Sequence, residues 1–170
     1  MSISQTLLGS RAYVRSHQAE IPDFVCSLVL DWGRGSVIGM SVGGHEELIA
    51  PLEHFAKVAD GSGAMKISRG YMQFTDSYAF TLAGVPGIAF AQESRDYAML
   101  AHSAADTLDQ IEPDVLVRTS ALAAQTAFWI ANHPTRLGTV WSPSMTAQTL
   151  NNDRQRPMLE LFGLWPFAPQ

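Results

Sequence analysis

The side chains able to carry chemistry fall into a few short stretches. "AHSAADTLDQIEPDVL", residues 101–116, sets His102 four positions before the pair Asp106-Thr107, in a polar run that leads into a helix start. A histidine in such a run can ligate a metal, relay a proton or cap a turn. "GMSVG", Gly39 to Gly43, is a G-x-S-x-G, and Ser41, Asp76 and His102 follow in the nucleophile, acid, histidine order of one kind of hydrolase triad. "HEELI" at His45 begins like the zinc-protease signature H-E-x-x-H.

Local context decides against the shorter matches. The fifth position of "HEELI" is Ile49, so the second imidazole one helical turn on is absent, and His45 reads as a solvated residue at a helix start. "GRGSVIG" resembles a dinucleotide loop, but Ile38 stands where the third glycine is needed and a strand follows. A nucleophile elbow needs a buried strand turning directly into a helix. Here only Val37 and Ile38 precede the first glycine, and loop residues separate Ser41 from the next helix. The serine-hydrolase reading with Ser41, Asp76 and His102 is therefore the weaker one.

The elements that must position these groups follow the pattern of an α/β layer fold, short apolar runs alternating with amphipathic segments. The pattern predicts a helix over Leu7 to His17, strands at Val25 to Leu30 and Val37 to Val42, and a helix over Glu46 to Val58. "GSGAMK" reads as a loop. Asp76 to Ala83 reads as a helix and Val85 to Phe90 as a strand that, holding Pro86, suits a sheet edge. A long helix spans Pro113 to about Asn132, with proline at its first position and Val115, Thr119, Leu122, Ala123, Thr126 and Ile130 as its apolar stripe. Residues 1–134 form one unit on this reading. Residues 135–170, with four of the nine prolines and the ending "LELFGLWPF", form an arm whose aromatic end docks on its own domain or on a partner.

Composition bounds the function classes. At 170 residues with 46% apolar and 16% charged side chains, the chain fits one ordinary globular domain. A net charge of −5 leaves no basic footprint for nucleic acid. Apolar stretches such as "LAGVPGIAFA" are broken by glycine and proline and fall short of the ~20 residues a membrane span needs, so no membrane partner is expected. "MSISQTLLGSRAYV" has no secretory pattern, which gives a cytoplasmic expectation, with a secreted or periplasmic site open to a longer parent. Cys26, the one cysteine, lies in "FVCSLVL" and reads as a small packed hydrophobe.

Taken in order, "LLGSRAYV", "LVLDWGRG", "FTDSYAFTLAGVPGIAF" and "HSAADTLDQIEPDVL" resemble the C-terminal half of the di-zinc exopeptidases, the group that includes carboxypeptidase Q and the bacterial aminopeptidases. The likeness covers roughly residues 7–133. An apolar strand ending in aspartate matches at Asp31, a G-[ST]-D-H-x-x-F-x-x-A-G-[IV]-P segment matches from Thr75 to Pro86, and H-T-x-x-D-T-x-D-x-[IV]-[DE]-P matches from His102 to Pro113. The resemblance implies an incomplete three-layer α/β/α sandwich on a mostly parallel or mixed central sheet. It also implies peptide substrates and two zinc ions sharing a bridging carboxylate and a water, with a free glutamate as general base.

On that resemblance Asp31 is the terminal carboxylate of one zinc and His102 the imidazole of the other, while Asp76 and Asp106 lie behind the ligands or on the substrate side. The departures are as informative. Where the family reads G-E-E-Q-G-L-L-G-S this chain reads S-I-S-Q-T-L-L-G-S, which puts Ile3 and Ser4 at the places of the general base and a ligand glutamate. Ser77, Ser103, Ala104 and Glu112 depart from the family's usual residues as well. One legible ligand per zinc implies weak metal binding and a chain inactive by itself. Self-association, or pairing with a missing N-terminal half, is the partner expectation, since uncovered sheet edges and apolar surface are paired or aggregate.

Overall fold

Runs of three to six residues build the sheet in a computed structural model that describes residues 7–59 and 65–167. The strands are β1 (Ser27–Val29), β2 (Val37–Ser41), β3 (Lys66–Ser68) and β4 (Gly87–Gln92), in the spatial order β1-β4-β2-β3. β1 runs parallel to β4, β2 antiparallel to β4 and parallel to β3, so the sheet is mixed. β4 is its spine. Its first four residues, Gly87 to Phe90, are buried, the near-continuous apolar run of a strand covered on both faces.

Helices lie on both sides. α2 (Ile49–Ala59) and α5 (Pro113–Ala131) bring Leu52, Phe55 and Ile130 against Met40, Ile88 and Phe90 of the sheet. Each such buried side chain contributes about 1.5–3 kcal/mol. α3 (Ser77–Leu82) packs on β1 and β4, and α1 (Leu8–Ser16) packs on α3. The architecture is the expected α/β/α sandwich around a small mixed sheet.

Several boundaries differ from the sequence expectation. β1 begins at Ser27, leaving Val25 and Cys26 outside the ladder, and a short 3-10 turn, Glu46–Leu48, precedes α2. The strand expected at Val85 to Phe90 is Gly87–Gln92, and it is central rather than at an edge. Pro86 is tolerated because it stands one residue before the ladder and contributes only its carbonyl, which accepts from the Ser27 amide at 2.8 Å. β3 was not foreseen: Lys66, the last residue of the expected "GSGAMK" loop, starts it, and 61–64 of that loop lie outside the described residues.

Within the expected arm, residues 135–167 carry two helices, α6 (Pro143–Asn152) and α7 (Arg156–Leu161), and pack on this chain's own surface. Ser142 caps α6, its hydroxyl accepting from the Met145 amide at 3.2 Å. Leu150, Leu159 and Leu164 bury themselves with Leu7 and Tyr78. The Trp141 amide donates to the Gly84 carbonyl at 2.9 Å, and a Cβ at Gly84 would stand 2.4 Å from the Trp141 oxygen. With φ +79° as well, that position admits only glycine at no cost.

Candidate functional site

Parallel pairing brings the carboxyl ends of β1 and β4 to the same rim of the sheet, the rim where open α/β sheets bind ligands. Asp31 follows β1 by two residues. The segment after β4 turns through α4 (Tyr97–Leu100) and reaches His102 and Asp106 before α5 begins. The two stretches with metal-ligand spacing are thus neighbours in space.

Their loops are joined by named contacts. The amides of Arg34 and Gly35 both donate to the Glu93 carbonyl, at 3.2 and 3.0 Å, and the Glu93 amide donates to the Ser36 carbonyl at 3.0 Å. Gly33 permits this approach: its φ is +99°, and a Cβ there would meet Gln92 Cβ at 2.7 Å. The Tyr97 hydroxyl donates to the Asp31 carbonyl at 3.2 Å, and its ring packs edge-on to Trp32 at 5.9 Å. The Tyr97 phenol is held above its ordinary pKa by partial burial first, then by the negative charges of Asp31 and Asp106.

His102 is exposed and sits at φ +62°, a left-handed conformation that is uncommon for a residue with a side chain and is recurrent at functional turns. Around it the polar run folds on itself. The Ser103 amide donates to the Leu100 carbonyl at 3.0 Å, and the Ala105 amide donates to the Ser103 hydroxyl at 3.2 Å.

The expected residues divide into two sets. Asp31, His102 and Asp106 lie on the loops at this rim, whereas Asp76 is exposed at the start of α3 and makes no side-chain cap there. Ser41 is a ladder residue paired with Ala89, inside β2 rather than on a strand-to-helix elbow. Among the described residues no hydrogen bond joins Ser41, Asp76 and His102, so the triad order in the sequence corresponds to no relay.

The expectation for His45 is corrected. It is fully buried, its ring stacked on Trp141 at 3.6 Å, its Nδ1 2.9 Å from Glu47 Oε1 and its Nε2 without a partner. The reason is the arm: Trp141 returns over the helix start and covers an imidazole that would otherwise face water. Nothing local to "HEELI" signals a partner almost a hundred residues on. Arg34 and Tyr97 were likewise passed over, although a lone cation between two glycines in "DWGRG" was a visible cue.

Among the described residues no group of three or more His, Cys, Asp and Glu side chains is placed to hold a metal ion. The donors present do not fit a di-zinc centre, which needs three or four protein ligands per ion. Ile3 and Ser4 lie outside the described residues. No helix among the described residues is long and apolar enough to cross a membrane.

Comparison with known proteins agrees with the fold. The profile of peptidase family M28 matches residues 4–127. A solved structure, the peptidase M28 precursor from Shewanella amazonensis SB2B, superposes with a TM-score of 0.69 at 26% identity, covering 80% of this chain. This chain spans 31% of that one. No curated protein matches it.

Proposed function

The chain belongs to peptidase family M28, and from that premise we propose that it is the part of a zinc exopeptidase domain that presents Asp31 and His102, inactive in peptide hydrolysis by itself. The observation that carries this reading is the juxtaposition at one rim of the Asp31 and His102 loops, where among the described residues no group of three or more His, Cys, Asp and Glu side chains is placed to hold a metal ion. Metal-assisted hydrolysis requires a ligand set that activates water and a base that takes its proton. Asp31 and His102 would each supply one donor to zinc, and Ile3 and Ser4 offer no ionisable group.

The test is direct. The purified chain with excess zinc is assayed on a panel of dipeptides and aminoacyl-anilides beside an Asp31→Ala, His102→Ala double variant. Equal background rates are expected. Turnover abolished by the double variant would overturn the reading and send attention to Asp76 or Glu93 as overlooked ligands.

A second reading, a non-catalytic assembly module, is favoured by the free side of β1. Among the described residues that strand pairs only with β4, and beside it an open groove of about 450 Å³ is lined by Phe24, Val25, Cys26, Leu28 and Phe80. Val25, Leu30 and Trp32 are each 40–49% exposed, and the Ser27 hydroxyl is buried without a partner. The seat suits further polypeptide of the same fold, since more than two thirds of the Shewanella chain has no counterpart here. Given only copies of itself, the chain should self-associate through this edge. Light scattering that finds a monodisperse monomer, or oligomers unmoved by a Val25→Lys, Leu30→Lys double variant, would sink the idea.

A further inference from the structure

The segment that carries His102 has no core of its own. From Asp96 to Gln110 no residue is buried, and its backbone hydrogen bonds run between neighbours within the segment or just before it. A stretch so placed is drawn from the low-stability end of a fold unless something outside grips it. Among the described residues the side-chain hydrogen bonds that reach it from the loop after β1 are those of Arg34 and the bond from Tyr97 to Asp31.

Arg34 is suited to the task. Its side chain is 15% exposed, Nη1 donates to Asp96 Oδ1 at 2.7 Å, and Nη2 donates to the Gln110 carbonyl. Asp96 and Gln110 are the two ends of the unsupported segment. The backbone of Arg34 is in turn pinned to Glu93 at the end of β4, three residues beyond Asp31. A planar guanidinium with donors in fixed directions can hold two acceptors at once, which a lysine ammonium on a flexible stem does not reproduce.

We propose that Arg34 is a positioning residue: by clamping both ends of the segment that bears His102 to the loop that bears Asp31, it fixes the separation of the two candidate ligands. The proposal rests on the reading that Asp31 and His102 serve one site, but its test needs neither metal nor turnover, so the two stand or fall separately.

The experiment places nitroxide labels at Leu30→Cys and Ala105→Cys in a Cys26→Ala background, leaving Asp31 and His102 intact, and measures the distance distribution by double electron–electron resonance. With Arg34 present a single narrow peak is expected. Arg34→Ala and Arg34→Lys should both lose that peak to a broad distribution. Asp96→Ala, at an exposed position, should broaden it in part. A residue that serves only overall stability would lower the melting temperature and leave the peak width unchanged. A narrow distribution retained in folded Arg34→Ala overturns the proposal. If that variant does not fold, a narrow distribution retained in Asp96→Ala does so instead.

Discussion

The imidazole of His45 lies flat on the indole of Trp141, ring centroids 3.6 Å apart and planes 15° from parallel. The contact ties the start of the helical layer to the C-terminal arm, and both rings are buried. Truncating a buried aromatic typically costs about 3–5 kcal/mol. Trp141→Ala should therefore lower the urea midpoint by a large fraction of total stability, with His45→Ala lowering it less. A double variant no worse than Trp141→Ala alone is expected, because the two remove one shared contact.

His45 also predicts a pH dependence. Burial pushes its imidazole below the ordinary value, and the Glu47 carboxylate opposes this without cancelling it. The folded chain thus resists a proton that the unfolded chain accepts near pH 6.5. Stability is full above that value and is lost as pH falls from it through the lower folded pKa. Urea titrations between pH 8 and pH 5 should show this slope, and His45→Gln should flatten it. A slope unchanged in the variant would assign it to other groups.

What was legible at the outset depended on how far apart the cooperating residues lie. α5 declared itself through Pro113 and a sustained apolar stripe, and Val115, Thr119, Thr126 and Ile130 are buried as that stripe requires. Asp31 and His102 were picked out by ordered motifs, which carry chain position without geometry. His45 was misjudged because its cover comes from Trp141. β3 was missed because three residues, Lys66–Ser68, are too few for alternation to register. Pro86 suggested an edge because its missing amide forbids the ladder, a constraint the chain meets by starting β4 one residue later.

The arm makes its own prediction. Leu159 is fully buried in the cluster with Leu7, Tyr78, Leu150 and Leu164. Leu159→Ala should cost about 2–5 kcal/mol, and truncation after Asn132 should lower the melting temperature further or drive association through the uncovered Tyr78 surface. Thermal scans with size exclusion would read both effects. An unchanged melting point and elution volume would show that the arm adds nothing to the fold.

Cys26 supplies a chemical check on the β1 groove. Burial pushes its thiol up to about 11. At pH 8 such a thiol is ionised to roughly 0.1%, against about a quarter for a free cysteine, and only the thiolate is the nucleophile. A disulfide reagent should therefore modify the native chain at least a hundredfold more slowly than the urea-unfolded one. Equal rates would mean that the groove is open enough to hydrate the sulfur.

The register of β1 has a consequence for the making of the protein. Ser27, Leu28 and Val29 find their ladder partners only at Gly87, Ile88 and Ala89. Leu7 shares its buried cluster with Leu150, Leu159 and Leu164, and Arg34 has no partner for its second guanidinium nitrogen until Gln110 exists. A chain leaving the ribosome must carry its first strand unpaired through much of its synthesis, and non-local pairing of this kind is slow to form and exposed to aggregation while it waits. The rim that gathers Asp31 and His102 thus has to wait for residues as far along as Gln110, the partner of Arg34, before its two loops can be joined.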